Sequence, residues 1–240
     1  MKWHETAKHG ETSMKQVQSD IWETEMQSPF PGLKTHAYLW VREGGNVLFY
    51  NTGHSHEIAR LEEFGGVERQ YLSHQDELGE TLNEIAGRYG SVLYGHRAEL
   101  EAYAKVRTPD HLLDRREIHT GGIEVIPTPG HSPGSTCFQV DSPTGKKYLF
   151  TGDTLFLDRK YRWTAGFIPG VHDESVRPAL ASSLRILRVL NPDVVFGSAF
   201  SGDFGFEEIP SGSWSEKVDA ALDRLLAGST AGRRVDRSQF

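Results

Sequence analysis

The sequence predicts an α/β protein in which helices cover β-sheets. Short strand-like runs alternate with helical patterns in both halves of the chain, which is typical of layered α/β domains. The 240 residues are 37% hydrophobic and 25% charged, a composition typical of soluble globular proteins. A chain of this length can bury a sizeable core in one large domain.

The first half opens with a β-hairpin. Two apolar runs, at 36–41 and 46–51, are separated by Arg-Glu-Gly-Gly, in which glycine can adopt the positive φ of a tight turn. Ile58, Leu61 and Phe64 then recur at helical spacing and predict a helix over 56–64. The remaining elements predicted in this half are a strand at 67–72, a helix with the apolar face Leu78, Leu82, Ile85 and Tyr89, a strand at 91–94 and a helix near 97–105.

The second half begins with β-structure and ends with helices. A helix over 174–190 has its apolar residues in phase and a proline near its start, where a helix tolerates one. The last helix opens with the capping-box spacing of Ser213 and Glu216. The strands predicted in this half lie at 123–128, 135–140, 146–152 and 193–197.

Both ends of the chain lack periodic apolar residues. We therefore expect a loose N-terminal segment at 1–16, one domain over 17–227 and a flexible tail at 228–240.

The composition argues against several classes of function. A single cysteine, Cys137, excludes internal disulfides and a cysteine-ligated metal centre, and it fits a reducing cytoplasm. No secretory signal and no apolar run near the roughly 18 residues of a membrane helix are present, so we expect a cytoplasmic protein without a membrane partner. The net charge of −7 does not attract polyanions, so no nucleic-acid partner is expected. The 11 histidines, in contrast, favour metal or acid–base chemistry.

Three loops place His or Asp at the ends of predicted strands. His74 and Asp76 follow the strand at 67–72, His131 lies in a turn rich in Pro and Gly between two strands, and Asp153 follows the strand at 146–152. Imidazole nitrogens and carboxylate oxygens on rigid strand ends are suitable ligands for a divalent ion. Each loop also has an ordinary structural interpretation, but the His131 turn is the hardest to explain by loop geometry alone.

These loops resemble a known family. Residues 128–135 read TPGHSPGS and residues 151–156 read TGDTLF, and both strings are similar to motifs of the metallo-β-lactamase superfamily, especially its glyoxalase II and persulfide dioxygenase branch. Asn51 stands where the family usually has Asp at a strand end. The resemblance covers about residues 17–210. It implies a four-layer αββα metallo-β-lactamase sandwich with a metal site at one edge of two facing sheets.

The chain departs from the family in its metal motifs. The family's first motif is H-x-H-x-D-H, whereas residues 74–79 read HQDELG, so His74 matches and Asp76, Leu78 and Gly79 replace the other ligands. The family's last ligand, a His after the final core strand, is also missing from residues 196–200, which read FGSAF. The resemblance therefore implies one metal ion rather than two, with His74, His131 and Asp153 as ligands.

The role of Asp76 has two interpretations. It is either a fourth ligand or a neighbour that orients His74 or a water molecule. Glu77 is expected to solvate a helix N-terminus instead.

Other residues are candidates for the rim of the site. Arg159 and Arg162 follow the Asp153 strand and could hold an anionic substrate, or they could simply solvate a loop. His172 lies in a region where this fold often builds its substrate wall, and His54 and His56 follow Gly53. The family's glutathione-thioester members carry a Gly-Cys-Gly-Arg-type segment that this chain lacks, which argues against a glutathione substrate.

These residues favour a metal-dependent hydrolase with one divalent ion, Zn or Fe with Mn as an alternative, acting on a small ester or thioester. Asp76 and Asp153 are the candidate catalytic carboxylates, with Asp76 as the base that accepts a proton from water. An Fe(II) sulfur dioxygenase-like enzyme with the same ligands, and a metal-free binding member of the fold, stay open. The expected partner is a small-molecule substrate, and a homodimer is also open.

Overall fold

The computed structural model describes residues 14–231, with 229–231 given by their backbone alone. In the first half of the chain the elements are β1 (Lys15–Gln18), β2 (Ile21–Glu23), β3 (Gln27–Phe30), β4 (Leu33–Thr35), β5 (Tyr38–Trp40), β6 (Val47–Phe49), α1 (Ser55–Arg60), β7 (Arg69–Tyr71), α2 (Thr81–Tyr89), β8 (Val92–His96), α3 (Leu100–Tyr103) and β9 (His111–Leu113). In the second half they are β10 (Glu117–His119), β11 (Ile123–Pro127), β12 (Thr136–Asp141), β13 (Lys147–Gly152), β14 (Leu155–Leu157), β15 (Trp163–Ala165), α4 (Arg177–Arg188), β16 (Val194–Gly197), β17 (Ala199–Phe200), β18 (Phe206–Glu208) and α5 (Trp214–Ala231).

Two large sheets face each other across an aromatic core. The first has the strand order β1-β2-β5-β6-β7-β8-β9 and the second the order β10-β11-β12-β13-β16-β18. Phe49 of β6 stacks on Phe150 of β13 with ring centroids 3.9 Å apart, and Phe150 stacks in turn on Phe196 of β16. Stacked rings from the two sheets therefore fill the space between them.

Helices cover the outer faces of both sheets. Side chains alternate between the two faces of a strand, so Leu149 and Val195 point away from the aromatic core that Phe150 and Phe196 line. Leu149 and Val195 are buried with Leu180 of α4 and Val218 of α5. On the first sheet, Leu93 of β8 is buried with Leu82 of α2 and Tyr103 of α3. The predicted four-layer αββα sandwich is confirmed.

A third, smaller sheet was not expected from the sequence. It has the order β15-β14-β17-β4-β3, and its β3–β4 hairpin turns at Gly32 with a φ of +85°. Its strands are two to four residues long, too short to produce a clear alternating pattern. This hairpin forms part of the wall of the cleft described below.

Parallel pairing directs several strand ends to one edge of the sandwich. β6, β7 and β8 run parallel in the first sheet, and β13 and β16 run parallel in the second. Tyr50, directly after β6, links the two sheets at this edge. Its hydroxyl donates to the carbonyl of Phe196 at 2.9 Å and accepts from the amide of Gly152 at 2.8 Å.

Some boundaries differ from those predicted. The helix predicted over 56–64 divides into α1 and a 3-10 turn at Leu61–Phe64. β1 begins at Lys15, inside the segment expected to be loose, because it pairs with β2; residues 1–13 of that segment lie outside the described residues. α5 continues to Ala231, beyond the expected start of the tail at 228, and residues 232–240 lie outside the described part. No described helix is long and apolar enough to cross a membrane.

Tyr50→Phe should lower the free energy of unfolding by about 1–3 kcal/mol, because the buried amide of Gly152 loses its acceptor. Urea denaturation followed by circular dichroism measures this change. Tyr161→Phe is the matched control. Both tyrosines have a positive φ, but Tyr161 is 51% exposed and its hydroxyl donates to the side chain of Asp203. We expect a change of about 0.5 kcal/mol or less for this control. Equal losses in the two variants would contradict the role of Tyr50.

Candidate metal centre

Four side chains converge where the parallel strands end. His74 and Asp76 follow β7, His131 lies in the turn between β11 and β12, and Asp153 directly follows β13. Nε2 of His74 lies 3.5 Å from Oδ2 of Asp153 and 3.8 Å from Oδ2 of Asp76. Nε2 of His131 lies 3.7 Å and 3.5 Å from the same two oxygens. Ligands of a tetrahedral zinc ion, each about 2.0–2.1 Å from it, lie about 3.4 Å apart. The candidate ligand atoms of His74, Asp76 and His131 all lie within 4.8 Å of one another, so these three side chains fit a divalent ion, and Oδ2 of Asp153 lies beside both imidazoles.

The ring of His131 is oriented by a backbone carbonyl. Its Nδ1 lies 2.9 Å from the carbonyl oxygen of Gly166, which can only accept a hydrogen bond. Nδ1 therefore carries the proton in the neutral ring, and Nε2 keeps its lone pair. This arrangement is typical of metal-ligating histidine.

The ring of His74 is oriented by a short relay of side chains. Its Nδ1 lies 2.8 Å from Oγ of Ser73, and that hydroxyl donates to Oε1 of Glu77. Because the Ser73 proton is committed to Glu77, Nδ1 of His74 is the donor, and in the neutral ring Nε2 keeps its lone pair. Nε2 of His74 and Nε2 of His131 are both buried, and neither has a hydrogen-bond partner among the described residues.

Glu77 has a different role from the one expected. Instead of solvating a helix terminus, its carboxylate is buried, accepts from the amide of Ser73 at 2.8 Å and lies 3.3 Å from Nδ1 of His74. Burial raises the pKa of Glu77, although the bonds from His74 and Ser73 partly oppose this. Burial would lower the pKa of His74, but Asp153 and Glu77 outweigh it and raise that pKa well above its usual value. Glu77 therefore orients His74.

Asp153 is held as a carboxylate with one oxygen directed at the histidines. Burial would raise its pKa, but His74, His131 and the hydroxyl of Ser198 hold it well below its usual range. Ser198 donates to Oδ1, which leaves Oδ2 facing the two imidazoles. Ser198 lies in the 196–200 turn, where the resemblance predicted a missing ligand.

Two glycines permit the close approach of these loops. Gly152 has a φ of +53°, and a Cβ there would overlap Oγ of Ser73. A Cβ on Gly166 would overlap the carbonyl oxygen of Asp153. The TGDTLF string contains the first of these glycines, but nothing in the sequence marks the second.

A buried carboxylate that the sequence analysis missed also fixes the His131 turn. Glu99 is 2% exposed, and it accepts from the amide of Gly134 at 3.1 Å, from the hydroxyl of Tyr103 at 3.0 Å and from the hydroxyl of Ser132. No motif surrounds Glu99 in the sequence, so this contact could not be predicted from spacing.

Only some of the residues predicted for the rim of the site line the cleft. His54 and His172 line the cleft, and the ring centroid of His172 lies 4.9 Å from that of His131. His56 instead pairs with Glu25 at 2.8 Å. Arg162 pairs with Asp158 at 2.6 Å, and neither Arg162 nor Arg159 lines the cleft.

The cluster of His74, Asp76, His131 and Asp153 opens into a cleft of about 1160 Å³. Its walls include the β3–β4 hairpin and the loop at 166–172, and Leu78 and Gly79 line it beside the ligands. Clefts of this size with a few convergent polar groups are typical of small-molecule sites.

A family model described as the metallo-beta-lactamase superfamily matches residues 36–199. Among solved structures, the chain is similar to a metallo-beta-lactamase from Cronobacter sakazakii with a HARLDQ motif (TM-score 0.66, 15% identity, covering 92% of this chain and 95% of that one). It is also similar to the metallo-beta-lactamase GOB-18 from Elizabethkingia meningoseptica, with a TM-score of 0.64 and 14% identity, covering 91% of this chain and 93% of that one. A metallo-beta-lactamase family protein from Thermus thermophilus has a TM-score of 0.64 and 19% identity, covering 90% of this chain and 82% of that one. At these identities the likeness shows the fold alone. No curated protein matches the chain significantly in sequence.

Glu77→Gln should weaken metal binding about 10- to 100-fold, because glutamine has one acceptor oxygen in place of the two that accept from the amide and the hydroxyl of Ser73, so the relay that orients His74 is broken. Competition with a chromophoric zinc chelator measures the affinity. Glu80→Gln is the matched control, because Glu80 is exposed on the same loop. Wild-type affinity in Glu77→Gln, with the fold intact by circular dichroism, would contradict this role.

Proposed function

The chain belongs to the metallo-beta-lactamase superfamily, and we propose that it is a metal-dependent hydrolase of a small ester or thioester. One divalent ion would be held by His74, Asp76, His131 and Asp153. The observation that carries this proposal is the pair of buried Nε2 atoms that face two carboxylates without a hydrogen-bond partner among the described residues. A buried polar atom left unpaired costs about 1–3 kcal/mol, and a metal ion supplies the missing partner.

The chemistry needs both the ion and a base. When bound, a divalent ion polarises the scissile carbonyl and lowers the pKa of a coordinated water to about 7. Asp76 is the candidate base because its side chain is 65% exposed, whereas that of Asp153 is 17% exposed. The nearby His131 lowers the pKa of Asp76, so Asp76 is ionised at neutral pH and can accept a proton from water. Asp153 holds the ligand cluster together.

The proposal of a single ion rests on the residues at the second-site positions. Leu78 and Gly79 offer no ligand, and the hydroxyl of Ser198 is engaged with Asp153. The Cronobacter sakazakii protein of similar fold carries the motif HARLDQ, whose six letters also include a single histidine at the first position. Two imidazoles and two carboxylates suit zinc, with iron and manganese as alternatives.

The TPGHSPGS and TGDTLF strings support the glyoxalase II and persulfide dioxygenase branch as the part of the superfamily that the chain resembles most. The second candidate function follows from the same ligands. Two imidazoles and a carboxylate also form the ligand set of mononuclear iron oxygenases, so an Fe(II) sulfur dioxygenase is the alternative. Oxygen uptake with a thiol substrate, by protein purified with iron, would favour this alternative over hydrolysis.

Protein purified without added metal should contain about one equivalent of a divalent ion, and His131→Ala should lose it. Elemental analysis measures the content, and zinc at about 100 times its Kd should stabilise the metal-free protein by about 2.7 kcal/mol. His56→Ala is the control, because His56 pairs with Glu25 away from the ligand cluster. Full occupancy in His131→Ala would overturn the ligand assignment. Absence of metal without any thermal stabilisation would favour a metal-free binding protein instead.

Asp76→Asn should lower kcat for p-nitrophenyl acetate about 10²- to 10⁴-fold, because the amide cannot accept the proton of the attacking water. Its metal content should stay near one equivalent, since the amide oxygen can still serve as a ligand. Removal of metal with a chelator should abolish hydrolysis by the wild type, and zinc should restore it. Unchanged kcat in Asp76→Asn would exclude Asp76 as the base.

A further inference from the structure

The mouth of the cleft exposes large apolar side chains. On the β3–β4 side, Phe30 is 67% exposed and Met26 is 45% exposed. On the 166–172 loop, Val171 is 75% exposed and Ile168 is 47% exposed. Apolar residues grouped at one exposed site mark a binding surface rather than ordinary solvent exposure. The mouth is therefore built to contact an apolar group.

Basic side chains border this cleft without lining it, and the guanidinium of Arg159 lies against Gly32 of the β3–β4 turn. Of the residues that the structure describes, those lining the cleft include neither lysine nor arginine. Lys34, next to the lining residue Leu33, instead donates to the carbonyl of Gly202 and lies 3.9 Å from Asp203. The guanidinium of Arg162 is engaged with Asp158.

The charges that do line the cleft belong to the ligand cluster and its support. They are the carboxylates of Asp76, Glu77 and Asp153, together with histidines. Recognition of a carboxylate or phosphate group usually needs a cation in hydrogen-bond reach. Among the described residues that line the cleft, a negatively charged substrate finds no lysine or arginine, and it would also face these carboxylates.

From these contacts we infer that the substrate is an uncharged ester or thioester with an apolar acyl chain, which lies against Phe30 and Val171 while its carbonyl faces the ligand cluster. This inference rests on the proposed hydrolase function and narrows it. It disfavours the anionic substrate that Arg159 and Arg162 suggested.

Acyl-chain length and charge test the inference directly. Each methylene that is fully buried strengthens binding about fourfold, so kcat/KM should rise about 10- to 100-fold from p-nitrophenyl acetate to the hexanoate. p-Nitrophenyl pentanoate and mono-p-nitrophenyl glutarate have acyl chains of equal length, but the second ends in a carboxylate. The pentanoate should be hydrolysed at least about tenfold faster in kcat/KM. Equal values for this pair, or no dependence on chain length, would overturn the inference.

Phe30→Ser tests whether the acyl chain of the substrate lies against the β3–β4 wall of the cleft. The ratio of kcat/KM for hexanoate to that for acetate should fall about tenfold in this variant, because the acyl chain loses its apolar contact with the Phe30 ring. Phe204→Ser is the matched control, since Phe204 is 50% exposed and does not line the cleft. A ratio in Phe30→Ser equal to that in Phe204→Ser would show that the acyl chain does not contact this wall.

Binding without turnover separates this inference from the hydrolase proposal. 2-Octanone is an uncharged analogue that cannot be hydrolysed, and octanoate is its anionic counterpart. Calorimetry should show tighter binding of 2-octanone, weakened by Phe30→Ser but not by Phe204→Ser. If no ester is hydrolysed yet this pattern holds, the hydrolase proposal fails and the apolar site stands. If esters are hydrolysed without regard to chain length or charge, the hydrolase stands and the apolar site fails.

Discussion

The structure depends on the orientation of two buried imidazoles whose Nε2 atoms must face the same point. Each ring is oriented through its other nitrogen, His131 by the carbonyl of Gly166 and His74 by the Ser73–Glu77 relay. A ring turned over by 180° would exchange its nitrogens with carbon atoms, so it would lose that bond and direct a C–H at the site, where it could not bind a metal. The surrounding loops therefore need more than proximity: each must present a particular acceptor at a particular distance.

The αββα sandwich supports this arrangement, because each of these loops begins at the end of a buried strand. Parallel pairing of β6 with β7 and of β13 with β16 brings the loops to one edge, and Tyr50 joins the two sheets there. Its side chain bonds to backbone groups rather than to other side chains, so it holds the sheets at a fixed separation next to the site. Tyr50 thus couples the packing between the two sheets to the geometry of the site.

The sequence predicts helix-covered sheets from local periodicity, whereas the αββα sandwich and the four candidate ligands follow from short strings that resemble the family's motifs. Apolar periodicity marks the long strands and helices, and the prolines and glycines around His131 mark a restrained turn. The β3–β4 hairpin, Glu77 and Glu99 could not be predicted in the same way. The hairpin strands are too short to show a period, and the two carboxylates act through contacts with segments that meet them only in the folded chain, Glu99 across 35 residues to Gly134.

The positions where the sequence departs from the motif that the resemblance implies have packing or bonding roles. Leu78 packs against the buried cluster of Leu72, Leu82 and Tyr103, and Ser198 holds one oxygen of Asp153. With Asp76 and Asp153 beside two neutral imidazoles, a divalent ion here would have a formal charge of zero together with its ligands. A neutral centre exerts little long-range attraction on anions, unlike one with only histidine ligands. Asp76, at a position where the resemblance implies histidine, and the apolar mouth at Phe30 would therefore favour the same class of substrate, one without charge.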